Sequence, residues 1–224
     1  MRAAVVVFDA YGTLLDVHSA MQRHAARIGD GWERISADWR QKHLEYSWIR
    51  SMAGGERPDF WALARESLEV VAQQHRLADR ALLDYVLQAY RTLDPYPEVP
   101  AMLTRLREAG MPRAILSNGA PAMLADAVRA AGIDGLLDDV LSVEAAGIYK
   151  PDPRVYRLAT ERFGVSPERV AFVSANAWDA YGASVFGFRV FRLNRSGAPD
   201  EYGLRQRAAE LRDLSSLPET LSQA

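Results

Sequence analysis

The sequence predicts an α/β fold in which a doubly wound parallel β-sheet carries an inserted helical cap subdomain. Three observations lead to this prediction. Five short apolar runs have the length of buried strands, and apolar residues at helical spacing lie between the later runs. Strands that alternate with helices in this way form parallel sheets covered on both faces. The third observation is a long helical pattern between the first two runs, which predicts the insertion.

The predicted strands are, in chain order, residues 3–8, 113–116, 140–143, 170–173 and 188–193. Helices are predicted where apolar residues recur three and four positions apart. In the second half of the chain these are Val99, Met102, Leu103 and Leu106, then Leu124, Ala127, Val128 and Ala131, and then Val155, Leu158, Ala159 and Phe163. After the last strand we expect a helix over residues 201–211 and a further turn over residues 217–221.

The gap between the first two strands is far longer than the dozen or so residues that a simple crossover needs. It carries three patterns at helical spacing: one stripe of Ile35, Trp39, His43 and Tyr46, a second face shared by Arg40, Leu44 and Trp48, and a third pattern of Leu82, Val86, Ala89 and Leu93. We therefore expect a Rossmann-like catalytic core made of residues 1–15 and 97–224, and a helical cap subdomain made of residues 16–96. The prolines at positions 95 and 97 mark the return to the core.

The composition is that of a soluble globular protein, with 49% apolar and 25% charged residues among 224. The net charge of −2 gives no basic surplus that would attract nucleic acid or an anionic membrane. No apolar run approaches the roughly 20 residues of a membrane span, and we expect no secretory signal. The absence of cysteine excludes disulfides, thiolate metal sites and cysteine catalysis, and it fits a cytoplasmic enzyme.

A carboxylate, Asp9, follows the first predicted strand and precedes a Gly12-Thr13 turn. In open α/β sheets, ligands bind just beyond the carboxyl ends of the strands. A carboxylate at this point can attack an electrophilic carbon or phosphorus and form a covalent intermediate. The alternative is an aspartate that only caps the following turn, and the motif alone does not decide between the two.

Polar residues also follow the next three strands. Ser117-Asn118-Gly119 follows the second strand, Lys150-Pro151 the third, and Ser174, Asn176 and Asp179 the fourth. Exposed amides at a helix start suit an anion, and an ammonium near Asp9 would keep that carboxylate ionised. Ordinary helix capping explains each group separately, but it does not easily explain a nucleophile, amides, a lysine and an acid in this order.

The chain resembles the haloacid dehalogenase superfamily of aspartate-nucleophile hydrolases, and within it the L-2-haloacid dehalogenase group. The residues that carry the resemblance are Phe8-Asp9-Ala10-Tyr11-Gly12-Thr13-Leu14, Asp16-Val17-His18-Ser19, Trp39-Arg40-Gln41-Lys42, Leu44-Glu45-Tyr46, Leu116-Ser117-Asn118-Gly119, Lys150-Pro151, Phe172-Val173-Ser174 and Asn176-Ala177-Trp178-Asp179. They extend over most of the chain. Ala175 is a departure, because many close relatives have serine there.

The resemblance implies hydrolytic dehalogenation of (S)- or L-2-haloalkanoic acids to (R)- or D-2-hydroxy acids. Asp9 would displace the halide from behind and form an ester, and water would then hydrolyse the ester at the Asp9 carbonyl. Lys150 would keep Asp9 anionic, while Asn176 and Asp179 would orient Lys150 and the water. Thr13, Ser117, Tyr156 and Ser174 would donate hydrogen bonds to Asp9 or to the substrate carboxylate.

The resemblance also implies that Arg40 accepts the halide, although a surface ion pair with Glu45 or another neighbour is the alternative. Asn118 and the backbone after Ser117 would bind the substrate carboxylate or the halide. The remaining substrate contacts would form an apolar wall, or equally be plain core, and are Ala10, Tyr11, Leu44, Phe60 and Trp178.

The site should need no metal and no cofactor. Superfamily phosphatases carry a second aspartate two residues after the nucleophile and paired acids after the fourth strand, whereas this chain has Tyr11 and the Ser174-Ala175-Asn176 segment. A magnesium-dependent phosphatase, a hydrolase of small-ring 2-carboxylates and a non-catalytic binding protein remain as alternatives. The four histidines at positions 18, 24, 43 and 75 fall in or near the cap and are expected to be structural or exposed. We further expect a cytoplasmic homodimer.

Overall fold

The computed structural model describes residues 2–223, so Met1 and Ala224, at the two ends of the expected core, lie outside the described residues. Within this range six strands form one parallel sheet in the order β3-β2-β1-β4-β5-β6. The strands are β1 (Val5–Phe8), β2 (Arg113–Ser117), β3 (Asp139–Ser142), β4 (Val170–Ser174), β5 (Arg189–Leu193) and β6 (Ala208–Leu211). The predicted α/β class with a doubly wound parallel sheet is confirmed.

The first five helices all lie between β1 and β2, and they are α1 (Ser19–Gln22), α2 (Ala25–Ile28), α3 (Trp32–Ala53), α4 (Phe60–Gln74) and α5 (Arg80–Ala89). Aspartates cap two of them, because Asp59 accepts from the backbone N–H of Ala62 and Asp79 from that of Leu82. No helix in the described range is both long and apolar enough to cross a membrane.

The other five helices flank the sheet, and they are α6 (Val99–Glu108), α7 (Pro121–Ala130), α8 (Pro153–Phe163), α9 (Ala177–Phe186) and α10 (Leu217–Gln223). Strands β1, β2 and β4 are buried along their whole length, which accounts for the apolar residues at their centres. The sheet therefore lies in the middle of the core and presents the carboxyl ends of its central strands at one edge.

The predicted helix over residues 201–211 is wrong. Only Leu204–Gln206 form a short 3₁₀ turn, and β6 pairs in parallel with β5. Tyr202 and Gly203 both have positive φ, which interrupts a helix at this point. Pairing with the sheet edge then overrides the helix propensity of the alanines and glutamate in β6.

Two connections join the helical insertion to the sheet, and they run side by side. The backbone N–H of Asp16 donates to the carbonyl of Asp94 at 2.8 Å, and that of Tyr96 donates to Leu14 at 3.0 Å. Leu15 and Pro95 form an antiparallel bridge between them. The chain therefore leaves and re-enters the core at one place, directly after the turn that carries Asp9.

Candidate active site

Asp9 lies one residue beyond β1, and a tight turn folds back over it. Gly12, at a φ of 87°, allows this turn, since other residues rarely adopt that conformation. The turn brings the hydroxyl of Thr13 to Asp9, where it donates to Oδ2 at 3.1 Å. The hydroxyl oxygen of Thr13 in turn accepts from the backbone N–H of Ala175 at 2.9 Å. Thr13 therefore links the loops after β1 and β4 at the nucleophile, in the role predicted for it.

Lys150 bridges two carboxylates inside the protein. Its ammonium donates to Asp9 Oδ1 at 3.2 Å and to Asp179 Oδ2 at 2.8 Å, and its side chain is fully buried. Asn118 holds the Lys150 backbone, because its side-chain oxygen accepts the Lys150 N–H at 3.0 Å. Burial alone would lower the pKa of Lys150, but the two carboxylates outweigh burial and raise the pKa above its usual range. Lys150 is therefore charged, and its ammonium holds the carboxylates of Asp9 and Asp179 close together.

Asp179 lies in the first turn of α9 and is completely buried. Tyr156 donates to its Oδ1 at 2.8 Å and Ser174 to its Oδ2 at 3.2 Å. Burial raises the pKa of Asp179 to about 6, although Lys150 opposes the shift. Tyr156 and Ser174 were expected to donate to Asp9 or to the substrate carboxylate, and the Asp9 part of this expectation is corrected, because both hydroxyls donate to Asp179 on the far side of Lys150.

Asn176 also differs from expectation. Its side-chain amide does not contact Lys150 but donates to Asp9 Oδ2 at 2.7 Å and to the Tyr11 carbonyl at 3.1 Å. Oδ2 of Asp9 thus accepts two hydrogen bonds, and Oδ1 accepts one from Lys150. A carboxylate offers about four lone-pair positions, so the fourth, on Oδ1, stays available for attack.

Arg40 reaches from α3 of the insertion to the turn after Asp9. Its guanidinium donates to the Tyr11 carbonyl at 3.2 Å and to the Tyr90 hydroxyl at 3.4 Å. The expected alternative, an ion pair with Glu45, is wrong, because Glu45 pairs with Lys42 at 2.8 Å. No carboxylate oxygen in residues 2–223 lies within 4.0 Å of the Arg40 guanidinium. A half-buried arginine without a carboxylate partner is a ready acceptor for an anion.

The predicted apolar contacts fall into two groups. Ala10, Tyr11, Leu44 and Phe60 are buried, and the rings of Tyr11 and Phe60 are 6.0 Å apart. Trp178 is half-buried and packs edge-on against Trp48, with ring centroids 5.4 Å apart. The two tryptophans border an open cavity of about 520 Å³ whose lining also includes Lys150, Tyr149 and Met52.

The hydroxyl of Tyr11 is buried and has no hydrogen-bond partner within the described part of the chain. Burial raises the pKa of this hydroxyl far above its usual range, and Tyr90 and Asp9 add to the shift. Tyr11 therefore keeps its proton and offers a free O–H donor near Arg40. Ser117, by contrast, is fully buried and accepts from the Gly119 N–H at 3.2 Å.

Three residues near the site were not predicted to belong to it. His43 is buried and stacks on Phe60 at 3.8 Å, and burial together with Arg40 lowers its pKa to about 3. Tyr90, at the end of α5, contacts Arg40. Arg195 donates to the Thr13 carbonyl at 3.1 Å and pairs with Glu98 at 2.6 Å. His43 and Tyr90 continue apolar helical stripes, whereas Arg195 comes from a loop without a sequence signal.

Each carboxylate oxygen of Asp9 accepts a hydrogen bond from a nitrogen donor. Asn176 spans Asp9 and the Tyr11 carbonyl, and the Lys150 ammonium lies between Asp9 and Asp179. A divalent cation prefers several free oxygen ligands, and this arrangement supplies positive charge from an ammonium instead. Within residues 2–223 there is no group of three or more side chains with the types and placement of a metal site.

Comparison with known proteins agrees with this geometry. The profile of the haloacid dehalogenase-like hydrolases matches residues 3–187. (S)-2-haloacid dehalogenase 4A from Burkholderia cepacia is 47% identical over 212 residues, which are 94% of this chain and 91% of the relative. (S)-2-haloacid dehalogenase 1 from a Pseudomonas strain is 46% identical over 216 residues, which are 96% of this chain and 95% of the relative.

Solved structures are similar over the whole chain. A dehalogenase crystallised with an intermediate complex has a TM-score of 0.96 at 44% identity, with 100% of this chain and 99% of that chain covered. The L-2-haloacid dehalogenase from Xanthobacter autotrophicus with covalently bound chloropropionic acid has a TM-score of 0.88 at 37% identity, with 98% of both chains covered.

Proposed function

The chain belongs to the haloacid dehalogenase-like hydrolases, and from this membership we propose that it hydrolyses (S)-2-haloalkanoic acids to (R)-2-hydroxy acids. The proposal rests on one observation. A carboxylate held by hydrogen bonds lies near an arginine that has no carboxylate partner. Asp9 is fixed by Lys150, Thr13 and Asn176, and Arg40 donates to the carbonyl of Tyr11, two residues beyond Asp9. This arrangement supplies a nucleophile and an acceptor for the anion that leaves.

In the first step, Oδ1 of Asp9 attacks C2 of the haloacid from the side opposite the halogen. A carbon–oxygen bond forms, the carbon–halogen bond breaks, and the electron pair leaves with the halide. A halide needs no proton, so a general acid at position 11 is unnecessary and Tyr11 is compatible with the step. Arg40 stabilises the departing anion, and the free O–H of Tyr11 adds a neutral donor.

In the second step, water attacks the Asp9 carbonyl carbon and releases the hydroxy acid. Asp179, with a pKa of about 6, is ionised at neutral pH and takes the water proton, which passes to the leaving oxygen on C2 when the bond between that oxygen and the Asp9 carbonyl carbon breaks, while the charged Lys150 stays the partner of Asp179. The donors from Lys150, Thr13 and Asn176 stabilise the negative charge that develops on the ester oxygens. Since C2 is not touched in this step, the single inversion of the first step persists.

The substrate carboxylate is assigned to Ser117, Asn118 and the backbone that follows them. The apolar wall of Ala10, Tyr11, Leu44, Phe60 and Trp178 keeps bulk water from the ester, and it surrounds the substrate chain. Residues 16–96 act as the cap and residues 1–15 and 97–224 as the catalytic core. In this proposal the enzyme is a cytoplasmic homodimer that uses no cofactor and binds neither nucleic acid nor membranes.

The test is halide release from each pure enantiomer of 2-chloropropionate, with chiral chromatography of the lactate formed. We expect chloride and D-lactate from the L substrate and little release from the D substrate. Asp9→Asn, which keeps the shape but removes the nucleophile, is the matched control and should release no halide. L-lactate from the L substrate would contradict the single inversion, and the absence of chloride release would contradict the function itself.

A further inference from the structure

Tyr90 is an aromatic residue of the insertion that lies over the active site. It follows the last residue of α5, and its side chain is only 2% exposed. Its ring is stacked on the ring of Tyr11, with 5.5 Å between centroids and 7° between planes. Trp39 packs on it at 4.9 Å and His43 at 5.9 Å. Packing on three sides fixes the place of the Tyr90 hydroxyl.

The hydroxyl of Tyr90 accepts a hydrogen bond from Nη1 of Arg40 at 3.4 Å. The second protein partner of this guanidinium is the Tyr11 carbonyl, so both partners are uncharged. A carboxylate in either place would hold Arg40 more tightly, but it would also neutralise the charge that an anion needs. Two neutral acceptors fix the direction of the guanidinium and leave its charge available.

Burial also keeps Tyr90 neutral, because it raises the pKa of this hydroxyl above its usual range although Arg40 opposes the shift. A tyrosinate beside Arg40 would compete with the halide for the same charge. The stacking of Tyr90 on Tyr11 also fixes Tyr11, which supplies the carbonyl that accepts from Arg40 and the free hydroxyl.

We propose that Tyr90 is a positioning residue for halide abstraction: it sets the guanidinium of Arg40 and the ring of Tyr11 where the halide departs. This inference rests on the proposed function, because it assigns Tyr90 a part in the step that breaks the carbon–halogen bond. The effect of Tyr90 on that step must therefore pass through Arg40, and it must be larger for a poor leaving group than for a good one.

The experiment is a double-mutant cycle with Tyr90→Phe, Arg40→Lys and the double variant. Phenylalanine keeps the stacked ring and removes only the hydroxyl, so melting temperatures should stay close to that of the wild type. For L-2-chloropropionate we expect kcat of Tyr90→Phe to fall about fivefold while KM changes less than about twofold, as loss of one long hydrogen bond to a charged group implies. L-2-bromopropionate should be affected less. In the Arg40→Lys background, Tyr90→Phe should have almost no further effect.

The matched control is Tyr85→Phe, which makes the same change on the same helix at a side chain that is 56% exposed. It should leave kcat and KM unchanged. Equal effects of Tyr90→Phe in both backgrounds, or equal effects on chloride and bromide release, would overturn the proposal. If Tyr90→Phe melts at a much lower temperature, the cycle is measured where all four proteins are folded, and its non-additivity still decides.

The wild-type rate in the same series tests the proposed function separately. A wild-type protein that releases no halide contradicts that function, whatever Tyr90 does. Bromide titration followed by tryptophan fluorescence then tests Tyr90 without turnover. Weaker bromide binding by Tyr90→Phe than by the wild type supports the positioning role, and equal binding overturns it.

Discussion

Replacing Tyr156 by phenylalanine should move the acid limb of the pH–rate profile. Tyr156 is fully buried and donates to Asp179 Oδ1 at 2.8 Å. Burial raises the pKa of Tyr156 well above its usual range, so the hydroxyl remains a donor throughout the working pH range. Gly182 leaves the space for this contact, because a Cβ there would lie 2.5 Å from the Tyr156 hydroxyl.

The direction and size of the shift follow from the charge of Asp179. Burial holds its pKa at about 6, and the hydrogen bond from Tyr156 is one of the contacts that keep it from rising further. A hydrogen bond to a charged group contributes about 1.5 kcal/mol, which corresponds to about one pKa unit. Tyr156→Phe should therefore raise the pKa of Asp179 to about 7. Below that pH, protonated Asp179 neither accepts the water proton nor balances Lys150.

The assay is kcat at saturating L-2-chloropropionate between about pH 5 and about pH 9, because Asp179 acts in ester hydrolysis and kcat/KM reports only the steps up to the irreversible loss of halide. The acid midpoint of Tyr156→Phe should lie about one pH unit above that of the wild type, with nearly equal rates above the limb. Tyr149→Phe is the matched control, because that hydroxyl donates to the Pro58 carbonyl and does not touch Asp179. An unmoved midpoint in Tyr156→Phe, or an equal shift in the control, would refute the reasoning.

Three further predictions test other parts of the site. In a single turnover with enzyme in excess in ¹⁸O-water, the product should carry ordinary oxygen and Asp9 should gain the label; label found directly in the product would mean that water attacks C2. Turnover should survive EDTA, because each carboxylate oxygen of Asp9 accepts a hydrogen bond from a nitrogen donor, and a loss that Mg²⁺ restores would contradict this. His43 stays neutral in the folded state down to about pH 3, whereas its unfolded value is 6.5, so folding stability falls as the pH drops below 6.5. Between pH 6.5 and about pH 4 the wild type should lose about 3 kcal/mol more than His43→Gln in urea unfolding, and equal losses would refute the assignment.

The sequence predicts those parts of the site that follow from strand ends. Asp9 directly follows β1, Lys150 lies in the segment between β3 and α8, and Asp179 lies in the first turn after β4, so all three are at the edge where the carboxyl ends of the parallel strands meet. The order of the strands in the sheet is therefore enough to bring these three residues together. The helical insertion was also readable, since no simple crossover is as long as the chain between β1 and β2.

The distribution of hydrogen bonds within the cluster was not readable from the sequence. The hydroxyls of Tyr156 and Ser174 were expected at Asp9 or at the substrate carboxylate, but α8 and the end of β4 place both at Asp179. The two carboxylates bind the same ammonium, so moving a hydroxyl by about one side-chain length changes which of them accepts its hydrogen bond. The spacing of residues in the sequence does not predict such a small movement. The contact of Arg40 with Tyr90 joins residues 50 positions apart and depends on how α3 and α5 pack.

The shared ammonium explains how one small site serves two steps with opposite needs. Attack requires an anionic Asp9, and hydrolysis requires a base beside an Asp9 that has become a neutral ester. While Asp9 is a free carboxylate, the Lys150 ammonium forms ion pairs with both Asp9 and Asp179. Once the ester forms, Asp9 no longer carries a charge, so Lys150 remains as the counter-ion of Asp179 and as a donor to the ester oxygen. Alkylation of Asp9 thus changes the electrostatics of Asp179 through one shared side chain, and the base reaches its hydrolytic state only after the first step is complete.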